Sequence, residues 1–208
     1  YIPELASADP ERLAFAVVGR RGMIRSVGDD DYEFTIQSVS KPFVLALALA
    51  EHGRAGVLQR VGVEPSGEPF NAISLEPGTG RPANPLINAG AIATTSLIPG
   101  SNADERSTRI VEVLSAFAGR NLAVDEDTYR SESDTGDRNR ALAHLMRSHG
   151  LIDGTVNDSV EAYFRQCSVL VNVRDLAVMA ATLAFGGVNP ITGTRVVSEN
   201  IARDVVSI

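Results

Sequence analysis

Tryptophan is absent, and cysteine and lysine occur once each, as Cys167 and Lys41, in a chain of 208 residues. One cysteine excludes an internal disulfide framework and a cysteine-based zinc site. Three scattered histidines, His52, His144 and His149, offer neither a metal cluster nor a Ser-His-Asp set. Long apolar runs are also lacking. The longest, Phe43 to Ala50, falls far short of the roughly 20 residues that span a bilayer, and no basic-then-apolar leader opens the chain. Positive charge is in deficit: 19 Lys+Arg against 26 Asp+Glu give a net charge of −7, which disfavours nucleic acid or an anionic membrane face as a partner. What is present is a globular composition. Hydrophobic residues make up 44%, enough for a core, and the length favours one domain. The expectation is a soluble, cytoplasmic, single-domain chain with no metal.

The scarcity of lysine is itself a signal. Eighteen arginines accompany Lys41, and a replacement of Lys by Arg on solvated surfaces accounts for most of them. A buried lysine can lose its proton, whereas a guanidinium effectively cannot. The lysine that persists is therefore a candidate for chemistry closed to arginine.

Periodicity predicts a β-hairpin, with strands at 13–18 and 23–27 around the turn Gly19-Arg20-Arg21-Gly22, and a short strand at 32–36. A buried helix should start at Ser38 to Lys41, since Pro42 fits only a first turn, and should stop at Gly53. Residues 61–90 concentrate Gly, Pro and Asn with Phe70, Ile73 and Leu75 interspersed, which reads as a functional loop. Further helices are predicted at 88–97, 105–118, 138–148, 157–167 and 173–185, with Ser198 capping one more. The 173–185 segment is apolar almost all round and is expected to be a central core helix. Two or three strands make a marginal sheet, so further strands or another chain are expected to complete it.

At the start of the first long helix stands Gln37-Ser38-Val39-Ser40-Lys41-Pro42. Residues three apart share a helix face, so Ser38 and Lys41 can meet. A serine hydroxyl becomes a nucleophile when a base takes its proton, and a neutral amine can be that base. Serines are 17 of 208 residues, so the spacing alone is weak. Two readings stay open at this point: Ser38 caps a helix beside a solvated Lys41, or the two form a reactive pair. A first-turn lysine opposes the helix dipole, which counts against the first.

Taken together, the motifs resemble the serine-dependent glutaminases, a family with the β-lactamase and penicillin-binding-protein fold. The resemblance rests on Tyr1-Ile2-Pro3-Glu4-Leu5-Ala6, Ile36-Gln37-Ser38-Val39-Ser40-Lys41-Pro42, and Val61-Gly62-Val63-Glu64-Pro65-Ser66-Gly67 with Phe70-Asn71. It continues through Asn84-Pro85-Leu86-Ile87-Asn88-Ala89-Gly90, Ser131-Glu132, Gly136-Asp137-Arg138-Asn139, Tyr163-Phe164 with Cys167-Ser168, and Asn189-Pro190-Ile191-Thr192-Gly193. It implies an α+β fold, an antiparallel sheet packed on a helical lobe, with 1–37 giving strands and 38–208 mainly helices.

The resemblance also implies hydrolysis of L-glutamine to L-glutamate and ammonia through an acyl-enzyme, without a cofactor. Ser38 would be the nucleophile, Lys41 the general base, and Tyr163 a binding group and proton relay. Asn88, Glu132 and Asn139 would bind substrate, with Tyr1 and Gln37 lining the site. These residue types suit a free amino acid, whose ammonium needs a carboxylate acceptor and whose carboxylate needs neutral donors. Read singly, each has an ordinary alternative: Asn88 as a helix cap, Asn139 in a turn, Glu132 as a solvated loop acid, Tyr163 as a core aromatic. Cys167 reads as a small buried residue, and Arg138 with Asp137 as a structural ion pair.

Family members continue past the Ser198-Glu199-Asn200 helix start with a tyrosine-bearing loop and strands that complete an oxyanion hole. The expectation is therefore a catalytic domain, 1–208, lacking its C-terminal strands and incomplete at its start. Two other functions remain: a penicillin-recognising serine hydrolase, since Ser-x-x-Lys is shared with β-lactamases, and a non-catalytic glutamine- or glutamate-binding module. A homodimer or homotetramer is expected by analogy alone.

Overall fold

A computed structural model describes residues 2–73 and 75–208. Near the start, strands β1 (Ala14–Val18) and β2 (Ile24–Gly28) form an antiparallel hairpin in register Ala14↔Gly28 to Val18↔Ile24. Strand β3 (Phe34–Thr35) then leads into a 3-10 turn over Gln37–Ser40 and helix α1 (Lys41–Leu58). Helices α2 (Asn88–Ser96), α3 (Ala103–Ala118), α4 (Glu126–Thr135), α5 (Asp137–Ser148) and α6 (Val156–Cys167) follow. Strand β4 (Leu170–Val171), α7 (Val173–Ala184) and α8 (Glu199–Val206) complete the described chain. The fold is α+β, with small antiparallel sheets against a helical lobe. Among the described residues no helix is long and apolar enough to cross a membrane.

Several expectations need correction. The 32–36 segment supplies only two strand residues. They pair with β4, a strand the pattern did not reveal, and not with the hairpin. Helix α1 does break at Gly53, where φ is +66°, but it resumes to Leu58. Helix α7 is flanked by β1 on one side and α3 on another, and its Arg174, Ala180 and Ala184 are exposed. The helix at the centre is instead the first half of α1, buried from Phe43 to Leu49.

Two cores result. One surrounds α1, where Phe43 and Phe117 rings meet at 5.1 Å beside Leu45, Ile110, Leu114 and Met179. The other joins α2, α5 and α6 through Ile92, Leu142, Met146, Val160 and Phe164. All nine residues of α2 are buried. That is possible because the helix is built of small side chains and its hydroxyls are paired: Thr94 Oγ1 to Gly90 O at 2.8 Å and Ser96 Oγ to Ala93 O at 2.7 Å. Gly90 permits the closest approach, since a Cβ there would lie 1.9 Å from Asn84 O. The tight fit seats the N-terminus of α2 against the loop that precedes it.

Caps set several boundaries. Asn102, Asp125, Thr155, Asn172 and Ser198 each accept from a backbone N–H at a helix start, and Gly119 closes α3 in the left-handed region. The Ser198 cap and the Gly119 stop match the sequence reading.

Candidate active site

The first turns of α1, α2 and α5 converge with the side of α6. They bring Lys41, Asn88, Asn139 and Tyr163 into one buried network. Lys41 Nζ donates to Asn88 Oδ1 at 2.8 Å and to Leu86 O at 3.0 Å. Tyr163 OH donates to the same Asn88 oxygen at 3.3 Å, and Asn88 Nδ2 donates to Asn139 Oδ1 at 3.2 Å. Lys41, Asn88, Glu132, Asn139 and Tyr163 are each no more than 5% exposed, so Lys41 and Glu132 are not solvated, and Asn139 lies within α5 and not in a turn. Asn88 is not a cap either: Ile87 holds the N-cap position without a side-chain bond.

The lysine is buried, and among the described residues it forms no ion pair. Desolvation lowers its pKa from 10.5 to about 8, with Cys167 acting in the opposite direction. The Phe70 ring, from the long loop, lies 5.8 Å from the amine. That loop docks through its backbone, Phe70 O accepting from Asn88 N at 2.8 Å and Asn71 O from Arg138 Nε at 2.7 Å. Arg138 is thus bonded to the loop; an ion pair with Asp137 is not formed among the described residues.

Ser38 occupies the 3-10 turn directly before α1 and is exposed. The turn places Ser38 and Lys41 on one side, because residues three apart eclipse in a 3-10 helix. Among the described residues no hydrogen bond joins Ser38 Oγ to Lys41 Nζ, whose two bonds go to Leu86 and Asn88. The residue before Ser38 is strained: Gln37 has φ +50°, alone among the described non-glycine residues, at a cost of about 1–2 kcal/mol. Its side chain donates to Thr35 Oγ1 at 3.1 Å.

Glu132 is the departure from a simple surface picture. It lies on α4, not on a loop, and is buried with its Oε1 unpartnered among the described residues. Desolvation raises its carboxyl from 4.5 to about 7, the Gln37 side chain pulling the other way. Cys167 is buried as expected. Burial and the Glu132 charge push its thiol up, while Tyr163 and Lys41 pull it down, which places it among the same groups. Tyr1 lies outside the described residues. A groove along α3, lined by Ser107, Val111, Glu112, Arg120 and Arg165, contains none of these side chains.

Sequence reasoning missed the Leu86 carbonyl and a second buried string of bonds behind Gln37, through Ser40, Gln166 and Thr95. A backbone acceptor leaves no residue signature. Among the described residues no group of three or more His, Cys, Asp or Glu comes together in a metal-holding arrangement.

A family model described as Glutaminase matches residues 1–208. The chain is 55% identical over 207 residues to a glutaminase of Clavibacter michiganensis subsp. michiganensis (strain NCPPB 382), covering all of this chain and 63% of that protein. It is 51% identical over 208 residues to a glutaminase of Nostoc sp. (strain PCC 7120), covering all of this chain and 62% of that protein. The crystal structure of Mglu in its glutamate form matches with a TM-score of 0.94 at 50% identity, over all of this chain and 48% of that one. The chain thus spans less than two thirds of the length of these relatives. Matched by that model from its first residue to its last, the chain belongs to the glutaminase family.

Proposed function

We propose that the protein hydrolyses L-glutamine to L-glutamate and ammonia through a glutamyl ester on Ser38. The observation that carries this reading is the pair of acceptors around the lysine amine. A neutral amine has two N–H groups and one lone pair. Leu86 O and Asn88 Oδ1 take two N–H groups, which leaves the lone pair for a hydroxyl proton. A pKa of about 8 keeps a useful neutral fraction near neutral pH.

In this reaction Ser38 Oγ attacks the side-chain amide carbon while its proton passes to Lys41 Nζ. The tetrahedral intermediate collapses as that proton moves to the amide nitrogen, directly or by way of the Tyr163 hydroxyl, and ammonia leaves. Water then attacks the ester, Lys41 takes its proton, and glutamate departs as the proton returns to Ser38. Glu132 receives the substrate ammonium, which would pair its orphaned oxygen. Asn88, Asn139 and Gln37 orient the remaining polar groups, with Tyr1 completing the lining. The positive ends of α1, α2 and α5 favour the substrate carboxylate and the developing oxyanion.

The proposed architecture is β-lactamase-like. Leu13, Phe15, Val17 and Val27 leave the hairpin with exposed apolar side chains, a face that further elements of the longer family members would cover. Residues 1–208 would then be part of one catalytic domain that further strands complete, with 1–37 in its sheet lobe, acting in the cytoplasm as a homodimer or homotetramer.

The test is a substrate panel. L-Glutamine should give ammonia and glutamate in equal amounts, and a chromogenic cephalosporin should stay intact. Colour change with the cephalosporin would favour a penicillin-recognising hydrolase. Calorimetric binding of glutamine without ammonia release by the full-length protein would favour the non-catalytic module.

A further inference from the structure

Behind the strained residue that precedes Ser38 runs a string of three hydrogen bonds with no role in the reaction steps above. Thr95 Oγ1, from α2, donates to Gln166 Oε1 at 2.8 Å. Gln166 Nε2, from α6, donates to Ser40 Oγ at 3.0 Å, and Ser40 Oγ donates to Gln37 O at 2.7 Å. Ser40, Thr95 and Gln166 are at most 1% exposed, so water cannot substitute for any of these partners.

The string has a fixed polarity. The Gln37 carbonyl can only accept, so Ser40 Oγ must donate to it and take its other bond from the Gln166 NH₂. This turns Gln166 Oε1 toward the Thr95 hydroxyl. That carbonyl belongs to the peptide joining Gln37 to Ser38. Its direction is set by the ψ of a residue held at φ +50°, a conformation that persists only where the surroundings over-determine it. Thr95 lies on the helix whose first residue, Asn88, holds Lys41 Nζ. One buried frame therefore reaches both members of the reactive pair, Lys41 through Asn88 and Ser38 through Ser40.

We propose that Gln166 and Ser40 are positioning residues: by clamping the Gln37 carbonyl they hold Ser38 within reach of the Lys41 amine. This rests on the function proposed above, with Ser38 as nucleophile. Neither side chain touches substrate, so their loss should lower kcat and leave KM nearly alone.

The experiment compares Ser40→Ala, Gln166→Met and the double variant, with Ser38→Ala as a control, reading kcat, KM, the pH midpoint of kcat/KM and the melting temperature. A misplacement near 1 Å costs up to about 100-fold in rate, so each single variant should lose about 10- to 100-fold in kcat, with KM within about twofold. The pH midpoint should not move, because Lys41 keeps its partners. The double variant should lose no more than the worse single one, since both break the same string. Should Gln166→Met fail to fold, Ser40→Ala, which removes one oxygen, still decides the matter. Parental kcat in folded Ser40→Ala, a lowered melting temperature alone, additive losses, or a shifted pH midpoint would each overturn the proposal. Ammonia release that survives in Ser38→Ala would instead remove the functional reading itself.

Discussion

Lys41→Arg is expected to lower kcat for glutamine hydrolysis by about 10³-fold or more, nearly as far as Ser38→Ala, with the protein still folded and charged at that position. General-base catalysis contributes about 10²–10⁴-fold, and members of one reacting unit cost nearly the same when removed singly. Arginine keeps the positive charge and cannot give it up. A lysine with a pKa of about 8 is about one tenth neutral at pH 7, whereas one at 10.5 would be neutral at about 0.03%. Burial therefore raises the supply of base about 300-fold. For the parent, kcat/KM should fall as pH drops below about 8, because protonation occupies the lone pair. Ammonia assays from pH 6 to 9 check both points. Turnover by Lys41→Arg within about tenfold of the parent would remove Lys41 from the mechanism.

Glu132→Gln is expected to make the protein more stable and worse at its proposed task. A buried carboxyl raised from 4.5 to about 7 binds a proton in the folded state that the unfolded chain has released. Stability therefore falls as pH rises from 4.5 to about 7, by about 3 kcal/mol in all. Glutamine at the same position carries no charge, so above pH 7 the variant should melt several degrees higher than the parent. Below pH 4.5, where both are neutral, the difference should vanish. The substrate ammonium loses its partner, and removing one member of a buried charged pair costs about 2–5 kcal/mol, so KM should rise by about 30- to 5,000-fold. Melting curves at pH 4 and pH 8 beside KM measurements decide it. An unchanged KM would remove Glu132 from substrate binding, and a melting difference that ignores pH would contradict the buried charge.

These residues differ in how visible they are in the amino-acid sequence. Ser38 and Lys41 could be paired from spacing, a helix start and the single lysine, all local features. Asn88, Asn139 and Tyr163 needed the family resemblance, because an asparagine at a helix start most often caps it, whereas here the Asn88 amide faces the lysine. Without the resemblance Glu132 passes for a solvated loop acid, because α4 (Glu-Asp-Thr-Tyr-Arg-Ser-Glu-Ser-Asp-Thr) has almost no apolar stripe. A polar network holds that helix instead, with Tyr129 OH on Glu161 at 2.8 Å and Arg140 on the same carboxylate at 2.8 Å. Hydrophobic periodicity reports burial of carbon and is silent about such networks. Helix α7 erred the other way: alanines gave it an apolar look that exposure of Ala180 and Ala184 does not support. Strand β4 escaped because two residues are too few for alternation, and its pairing with β3 spans most of the chain. The Ser40–Gln166 bond joins residues 126 apart, a distance at which one sequence carries no pairing signal.

The account depends on burial leaving about a tenth of the lysine amine neutral at pH 7, and this can be observed directly. With lysine labelled at ¹³Cε, the resonance lost in Lys41→Arg identifies Lys41, and its shift can be followed by NMR from pH 6 to 11. A midpoint near 8 is the predicted result. A midpoint at the ordinary lysine value, about 10.4, would contradict it, since the side chain would then be a solvated ammonium with no lone pair to offer.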